Sequence, residues 1–546
     1  MLRKNDNPFP MITRLLFLGI LIFCVSFVKG QSNVKVTLGK PYPVIDAPKK
    51  SYFRRGNEIL ALKLQRSGFT LQKFNTATLA FQSIKLYDDF PKNFAVEDIV
   101  NIKESYYVFY SSWDGENEQL FVREIEFSTG QFKGPAKKII SVPEKISGSQ
   151  AQNGFFRFSV SDKFNLYFSS DSSALLIQYR LKPKKRADSK SYEVIGSYIY
   201  NGKMQEQWHA QFTMPYTEKK MNTLDYSVDS KGNMYMVISV YKDETTDEKK
   251  RGDDNANYTL EVLKYSPSSG EPVHSKIDLD DTFLHTVWLY ENKAKNYMIC
   301  TGFYNSGNKL NSVDGVLMCK LGNDGKFYDK VTHPIPLSIL NQNASRKEIN
   351  KNLRAEKNDK AEFKNLSLRQ VLIQEDGSIL LMSEQVYVRS HYVSNGRGGG
   401  TYYYTYHYND MLITKIKADG KLAWMQKLAK TQTGQAGQGG MSFRYIKGKN
   451  AHSFIFLDNE KNKDLRPDEE PAGHVDGAGG FITSYNINDK TGEVTKSYMV
   501  NLRDVNGMAV HQFLPSRIIP DSNGIFIFEA YKKGKEDILI KVESDF

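Results

Sequence analysis

The chain has 546 residues, of which 40% are hydrophobic and 12% aromatic, and its formal net charge is +12. This apolar content can support a sizeable core, which excludes a mainly disordered chain. The positive charge is spread along the sequence instead of forming one basic face with interleaved aromatics, which argues against a nucleic-acid-binding protein. The 32 Tyr and 32 Phe residues favour strands over helices.

The first thirty residues are typical of a signal peptide. A basic start with Arg3 and Lys4 precedes a fourteen-residue apolar run, and Val28 and Gly30 occupy the two positions that a signal peptidase reads. Fourteen apolar residues are short for a bilayer that needs about twenty, which favours cleavage over an uncleaved anchor. The sequence therefore predicts a signal peptide over residues 1–30. It also predicts an exported chain without a membrane span, in the periplasm, at the cell surface or outside the cell.

A strand that leads into a turn recurs eight times along the rest of the chain, and repeats are the first feature to seek in a long sequence. The copies are residues 71–74, 122–125, 177–181, 262–265, 318–321, 413–416, 484–487 and 539–542. Each copy has an upstream partner rich in aromatic and β-branched residues. The partners are residues 59–64, 106–111, 166–169, 234–241, 297–301, 379–383, 453–457 and 525–528. The predicted unit has four strands, with a variable loop between the second and the third.

Units of four antiparallel strands cannot bury both faces alone, whereas radial stacking covers the faces and leaves short edges. We therefore predict one all-β domain over residues 31–546, a β-propeller of four-stranded antiparallel blades. The repeat count favours eight blades, with seven as the alternative. The chain ends after the third strand of the last unit. The alternating Val34, Val36 and Leu38 are predicted to supply the missing outer strand and to close the ring.

Insertions interrupt the repeat at four places, and loops on a rigid scaffold commonly carry binding. They lie near residues 242–258, 338–365, 387–408 and 458–480. The 338–365 insertion contains the one predicted helix. Its Ile349 and Leu353 share a face, which leaves open a solvated helix or a helix that docks a partner. The 387–408 insertion is predicted to be a long hairpin with a glycine-rich tip.

The aromatic run that follows this tip provides the main candidate binding site. Four histidines in predicted loops are candidates for convergence on one face of the ring: His209, His391, His407 and His474. The candidate ligand-binding residues are Tyr402, Tyr403, Tyr404, Tyr406, His407, Trp208 and His209. The leading hypothesis is an exported, non-enzymatic propeller that acts as a monomer without a cofactor. It would bind a protein or glycan at the cell envelope through its long loops.

The alternative hypothesis is a carbohydrate-active hydrolase or lyase with carboxylates near the axis of the ring. The chain has no GxSxG, HExxH, CxxC or Walker A motif. Asp229 precedes a Gly turn, so capping of that turn is an alternative to a catalytic role for this residue. The candidate carboxylates are Glu97, Asp98, Asp225 and Asp229, with Trp113 or Trp208 as a sugar platform.

One acidic segment has the spacing of oxygen ligands that Ca²⁺ requires. Lys463 replaces the glycine of such loops, and no helices flank the segment. A solvated acidic loop and a Ca²⁺ site both remain open. The five candidate ligands are Asp458, Glu460, Asn462, Asp464 and Glu469.

Two cysteines, Cys300 and Cys319, follow the predicted signal peptide, in apolar runs on either side of a polar loop. A symmetric hairpin would place them opposite each other. Export permits a disulfide between them, and two small buried hydrophobes are the other interpretation.

Two resemblances add to these predictions. The segment from Gly420 to Trp424 resembles the Gly-Lys-x-x-Trp blade motif of quinone-dependent dehydrogenases, which implies that Trp424 packs between blades but implies no cofactor here. The whole mature chain resembles exported propeller-like proteins of Bacteroidetes-type bacteria. That resemblance implies export and a repeated β fold, and it transfers no catalytic residue. The segments that carry it are YYVFYSSWD (106–114), QLFVREIEF (119–127), MPYTEKKMN (214–222), TYHYNDMLITKI (405–416) and DGAGGF (476–481).

Overall fold

The computed structural model describes most of residues 34–544. The gaps are residues 149–162, 184–189, 248–255, 268–269, 279–281, 306–311, 358–360, 395–398, 435–438, 467–468, 478 and 522–523. The predicted signal peptide therefore lies outside the described residues, as does the hairpin tip at 395–398. Within the described ranges, no helix combines the length and apolar character needed to cross a bilayer.

Eight antiparallel sheets follow one another along the chain, and we number them blades 1 to 8. Blade 1 contains Lys49–Arg55, Glu58–Gln65, Gly68–Asn75 and Phe81–Tyr87. Blade 2 contains Ala95–Ile102, Ser105–Trp113, Glu118–Glu126 and a fourth position shared by Gln131–Phe132 and Lys137–Val142. Blade 3 contains Asn165–Phe168, Ala174–Leu181, Tyr192–Asn201 and Glu206–Thr217. Blade 4 contains Met221–Val228, Met234–Tyr241, Tyr258–Tyr265 and Val273–Ile277.

The second half of the chain repeats this pattern. Blade 5 contains Phe283–Asn292, Tyr297–Asn305, Gly315–Leu321 and Phe327–Pro334. Blade 6 contains Leu366–Ile373, Ile379–Ser394, Gly400–Ile416 and Leu422–Leu428. Blade 7 contains Phe443–Lys447, Ala451–Asp458, Phe481–Asn488 and Val494–Asn501. Blade 8 contains Ile518–Pro520, Ile525–Lys532, Glu536–Glu543 and the N-terminal Lys35–Leu38.

Shorter elements complete the described structure. The short strands are Tyr42–Pro43, Ile146–Ser147, Ser312–Val313, Phe363–Lys364, Gln432–Gly434, His474–Val475 and Val510–His511. The α-helices are Leu337–Asn341 and Arg346–Glu356, and single 3₁₀ turns cover Lys293–Lys295, Glu460–Asp464 and Pro515–Arg517.

Each blade is buried on both faces, which explains the apolar runs of the middle strands. In blade 6, Leu381 packs in a core shared with blade 5, while its neighbours Leu380 and Met382 pack in a core shared with blade 7. Successive side chains of a strand point to opposite faces, so a strand between two cores needs apolar residues at nearly every position.

The cores between blades show that the ring is closed. Seven clusters join consecutive blades from 1 to 8. An eighth cluster joins blade 8 to blade 1, where Ile527 and Leu539 pack with Ile59 and Phe74. Eight sheets joined by eight interfaces make an eight-bladed β-propeller, which confirms the larger of the two predicted blade counts.

The N-terminal strand completes the last blade, as predicted. It pairs antiparallel with the third strand of blade 8, with Lys35 opposite Glu543 and Leu38 opposite Ile540. Val34, Val36 and Leu38 also pack against the core between blades 7 and 8. The two termini of the propeller are therefore held in one sheet.

The predicted repeat was wrong by one strand in blade 3. Residues 177–181, predicted as a third strand, lie in the second strand, and their predicted partner is the first strand. The turn between these two strands contains no Gly. Ser172 adopts the left-handed conformation at φ 54°, and the Asp171 carboxylate accepts the backbone N–H of Ser173 at 2.9 Å. Because this turn lacks the glycine that marks several of the other turns, the sequence pattern places the hairpin at the second and third strands of the unit instead of the first and second.

The two ends of the propeller carry different connections, because strand direction alternates within each blade. One end, the turn end, carries the short turns that join first to second and third to fourth strands, such as residues 374–378 and 417–421. The other end, the loop end, carries the connections from second to third strands and from blade to blade. All four predicted insertions belong to the loop end: 242–258, 338–365, 387–408 and 458–480.

The helical insertion is confirmed. The longer helix begins after Ser345, whose hydroxyl accepts the backbone N–H of Glu348 at 3.3 Å. No residue of this helix is buried, and Leu353 is 46% exposed. The helix is therefore solvated, in line with its weakly apolar face.

Candidate functional site

The second and third strands of blade 6 continue beyond the blade as a two-stranded ribbon. Pairing runs from Val386 opposite Tyr408 to Ser394 opposite Gly400, so the predicted hairpin is confirmed. Side chains alternate between the faces of a strand, and this register therefore divides the aromatic run between two faces. The tyrosine face carries Val386, Val388, Ser390, Tyr392, Tyr402, Tyr404, Tyr406 and Tyr408. The histidine face carries Tyr387, Arg389, His391, Tyr403, Thr405 and His407.

The tyrosine face is buried at its base and exposed towards its tip. Val386 and Tyr408 pack with Met441 from the connection that leads to blade 7. Farther out, Tyr402 is 60% exposed and Tyr404 52% exposed. Exposed apolar groups concentrated on a projecting element commonly mark a contact surface, and tyrosine combines apolar area with a polar tip.

The histidine face carries a continuous chain of hydrogen-bonding groups. His391 Nε2 lies 2.9 Å from Thr405 Oγ1, which lies 3.3 Å from His407 Nε2. His407 Nδ1 in turn lies 3.1 Å from Thr433 Oγ1, on the loop that follows blade 6. Burial, Arg389 and His391 all lower the pKa of His407. A neutral His407 therefore links the ribbon to the neighbouring loop at neutral pH.

Ring stacking stiffens the same face. The rings of Tyr387 and His407 stack at 4.5 Å, and those of His391 and Tyr403 stack at 4.9 Å. The Arg389 guanidinium lies 5.2 Å from the centre of the Tyr387 ring. The two stacked pairs join the two strands, and such cross-strand pairs stabilise the ribbon beyond its buried base.

A buried ionic network anchors the base of the ribbon. Lys430 is fully buried, and its Nζ donates to Glu384 Oε1 and to the Tyr408 carbonyl, both at 2.7 Å, and to Gln432 Oε1 at 3.1 Å. The other oxygen of Glu384 accepts the Ser442 hydroxyl at 2.8 Å. Burial lowers the pKa of Lys430, while Glu384 opposes this effect. The network fixes the ribbon to the loop between blades 6 and 7.

A cleft of about 700 Å³ lies beside the base of the histidine face. Its walls come from the ribbon, the longer helix and the strand Phe363–Lys364. Lys427 is held there by Asp410 Oδ2 at 3.1 Å and by the Leu340 carbonyl at 3.3 Å. The cleft is therefore built from three of the insertions and connections that meet at the loop end of blade 6.

Trp208 and His209 do not lie near the ribbon. Both lie on the fourth strand of blade 3, where the Trp208 indole N–H donates to the Gly232 carbonyl at 3.0 Å across the blade interface. His209 stacks on Tyr198 at 4.8 Å and lies 2.6 Å from Glu206. Trp208 thus docks blade 3 onto a turn of blade 4.

Three of the four candidate histidines belong to one sheet. His391 and His407 lie on the ribbon, and His474 lies on the short strand His474–Val475, which joins the ribbon through Gln432–Gly434. Burial lowers the pKa of His474. His209 belongs to the strand of blade 3 described above.

The candidate central carboxylates have structural partners. Glu97 is buried and accepts the Ser111 hydroxyl and the backbone N–H groups of Lys163 and Phe164. Asp98 accepts its neighbour's backbone N–H at 2.7 Å, and Asp225 accepts a backbone N–H from blade 5 at 2.9 Å.

Asp229 caps its turn, as the competing interpretation predicts. It accepts the backbone N–H groups of Lys231 and Asn233 at 3.0 and 2.9 Å and the Tyr235 hydroxyl at 2.9 Å. Among the candidate platforms, Trp113 ends the second strand of blade 2.

The candidate Ca²⁺ ligands are not gathered around one point. Asp458 accepts the Asn462 side-chain amide at 2.6 Å and pairs with Lys496 at 2.8 Å, so both of its oxygens have partners. Glu460 and Asp464 lie on a 3₁₀ turn, and Glu469 pairs with Arg466 at 2.6 Å. The described ranges contain no group of three or more His, Cys, Asp or Glu side chains placed to hold a metal.

The two cysteines lie directly opposite each other, as the hairpin symmetry predicts. Cys300 pairs with Cys319 in the register of blade 5, and both are buried, free thiols. The contact with Cys319 and burial raise the pKa of the Cys300 thiol. They pack in the core between blades 4 and 5.

Trp424 has the packing role that its motif implies. Its indole N–H donates to the Asp489 carbonyl of blade 7 at 3.0 Å, and its ring packs against Gly492.

The cleft residues Tyr387, Arg389 and Asn409 were not predicted. The sequence of the predicted hairpin could have identified Tyr387 and Arg389. Every second side chain of a strand lies on the same face, so Tyr387, Arg389 and His391 are expected to share one face of the ribbon.

Comparison with protein-family models and with curated proteins gives no match. Solved structures give matches at low identity. A prolyl endopeptidase studied for its inter-domain dynamics is 9% identical over 89% of this chain, with a TM-score of 0.39, and the chain spans 55% of that protein. Prolyl oligopeptidase B from Galerina marginata is 10% identical over 91% of this chain and 55% of its own length, with a TM-score of 0.37. A polysaccharide lyase described as an ulvan lyase is 10% identical over 81% of this chain and 90% of its own, with a TM-score of 0.34. These likenesses do not bear on activity or ligand.

Proposed function

We propose that this chain is an exported, non-enzymatic propeller that binds a protein or glycan partner at the cell envelope through its loop end. The observation that carries the proposal is the distal part of the tyrosine face. Tyr392, Tyr402 and Tyr404 are 52 to 60% exposed, and none of the described ribbon residues between Tyr387 and His407 belongs to a core between blades. Exposed apolar groups gathered on one face of a projecting element commonly mark an interaction site.

The anchoring of the ribbon supports the same proposal. A binding surface gains affinity when its side chains are fixed before the partner arrives. Tyrosine suits this role because it provides a large contact area with few rotatable bonds. The Glu384–Lys430 pair holds the base of the ribbon, and the stacked rings of the histidine face stiffen its length.

The test uses alanine substitutions on the tyrosine face. Tyr402→Ala and Tyr404→Ala should each weaken capture of the native partner from envelope extracts by about tenfold or more, because interface tyrosines are often hot spots. Their thermal unfolding should match that of the unmodified protein, since neither ring is buried. Tyr328→Ala is the matched control, because Tyr328 is also exposed but is the second residue of the fourth strand of blade 5, next to the turn end.

Equal loss of capture in Tyr328→Ala, or unchanged capture in both ribbon variants, would contradict the proposal. Tyr408→Ala separately tests the difference between the buried base and the exposed tip of the tyrosine face. Tyr408 is only 7% exposed, so this variant should lose stability as well as binding.

A further inference from the structure

We infer that the cleft beside the histidine face binds a neutral glycan chain. This inference rests on the proposed binding function and names the ligand class for one part of the loop end. The cleft volume of about 700 Å³ lies within the range of about 300 to 1,000 Å³ that is usual for ligand sites. The cleft is separate from Tyr392, Tyr402 and Tyr404, which lie on the opposite face of the ribbon.

The charges of the lining favour a neutral ligand. Four cationic and four anionic side chains line the cleft, and their formal sum is zero. Lys427 and Asp410 already pair with each other at 3.1 Å on its floor. A phosphorylated, sulfated or uronic ligand would therefore meet as many like charges as opposite ones. Recognition of a highly charged ligand normally relies on an excess of the opposite charge.

The polarity of the lining favours a ligand rich in hydroxyl groups. Nineteen residues line the cleft, and only Leu340, Ala355, Phe363 and Pro471 are wholly apolar. Most pockets for drug-like ligands are mainly apolar, so this composition disfavours a lipid or an apolar peptide. A sugar hydroxyl both donates and accepts, and it can therefore satisfy amide, carboxylate and cationic groups along the same wall.

The polar groups at the ribbon base are held in place before a ligand binds. The Asn409 side-chain amide donates to the Tyr387 hydroxyl at 3.3 Å. The Tyr387 ring contacts His407 by stacking and Arg389 through the guanidinium. On the facing wall, Asn352 of the longer helix donates to Asn341 Oδ1 at 2.9 Å. Fixed polar groups lower the entropy cost of ordering them around a glycan.

The experiment is a glycan array that displays neutral, uronic and sulfated glycans, followed by calorimetry with the neutral oligosaccharide that binds best. Arg389→Ala and Lys351→Ala remove exposed side chains from opposite walls of the cleft. Each should raise the dissociation constant at least fivefold, without lowering the melting temperature. Lys421→Ala, an exposed lysine in a turn at the other end of blade 6, is the control and should leave the affinity unchanged.

Three results would overturn the inference: no binding of any neutral glycan, binding of acidic or sulfated glycans only, or neutral-glycan binding that neither cleft variant changes. The proposed function is tested separately by capture of the native partner through Tyr402 and Tyr404. If capture depends on these tyrosines while no neutral glycan binds, the glycan inference fails and the proposed function stands. If capture is independent of them and no glycan binds, both fail.

Discussion

Glu529→Gln is expected to destabilise the closure of the ring. The Glu529 side chain is fully buried on the second strand of blade 8. Its carboxylate accepts the Tyr42 and Tyr52 hydroxyls at 2.6 and 2.7 Å, and Lys63 and Lys50 at 2.6 and 2.7 Å. Lys50, Tyr52 and Lys63 lie in blade 1, so one carboxylate joins the last blade to the first. Glutamine keeps the volume of the side chain but removes its charge.

The magnitude follows from the pKa of this carboxyl group. Burial alone would raise it, but Lys63 and Lys50 lower the pKa of Glu529 from 4.5 to about 2. Such a fall corresponds to about 3 kcal/mol of stability above pH 4.5. Removing one member of a buried ion pair typically costs about 3–5 kcal/mol, because the remaining charge loses its partner. Asp537, at 3.0 Å from Lys50 and 3.4 Å from Lys63, compensates part of that charge. We therefore expect a loss of about 3 kcal/mol, at the lower end of that range.

Urea unfolding followed by circular dichroism measures this loss at pH 7.5. Glu375→Gln is the matched control, because Glu375 is exposed in a turn of blade 6 and should change stability by less than about 0.5 kcal/mol. The folded-state pKa of Glu529 lies below its unfolded value. Its contribution is therefore present above pH 4.5 and is lost as the pH falls towards 2. The gap between wild type and Glu529→Gln should narrow across that window. A gap below about 1 kcal/mol at pH 7.5, or one unchanged at low pH, would refute the reasoning.

Three further predictions concern packing, acid stability and metal dependence. Gly492→Ala should lower the unfolding free energy by about 2–4 kcal/mol in urea titrations, because φ is +72° and the new Cβ would lie 2.6 Å from Trp424 Cγ. Burial lowers the pKa of His452 and His474, so their neutral forms favour the folded state; the urea midpoint should fall as the pH drops below 6.5. A chelator should leave the melting temperature unchanged, because Lys496 already neutralises Asp458.

The sequence predicts much of the fold because each blade repeats the same physical requirement. A strand such as Ile379–Ser394 starts with apolar residues at consecutive positions, since it separates two cores. The closing strand was also predictable, because Val36 and Leu38 alternate with polar residues at an edge position. The strand order of blade 3 was not predicted correctly, because the turn between its first two strands contains Ser172 in place of a glycine. The predicted units were aligned on their glycine turns, so a unit without one at this position was misplaced by one strand.

The candidate site was less predictable, because side-chain direction depends on register. The run Tyr402–Tyr404 reads as one aromatic patch, but strand alternation sends Tyr403 to the face opposite its neighbours. Trp208 is a surface candidate by residue type, yet it contacts a turn of the next blade. Neither fact is visible without knowing which strands pair and how blades face each other. The cleft is harder still, because its walls come from segments far apart in the chain.

The restriction of insertions to one end has a physical cause at the other end. At the turn end, short turns are part of the contacts between blades. Asp489, in a turn of blade 7, accepts hydrogen bonds from Lys415 at 2.6 Å and Gln374 at 3.0 Å, both from blade 6. The Asp489 carbonyl also accepts the indole N–H of Trp424, which belongs to blade 6. A longer turn there would displace these groups and leave buried donors without acceptors, which is costly. At the loop end, the buried contacts of Lys430 lie at the base of the ribbon, so chain length added beyond them can form a binding surface without loosening the ring.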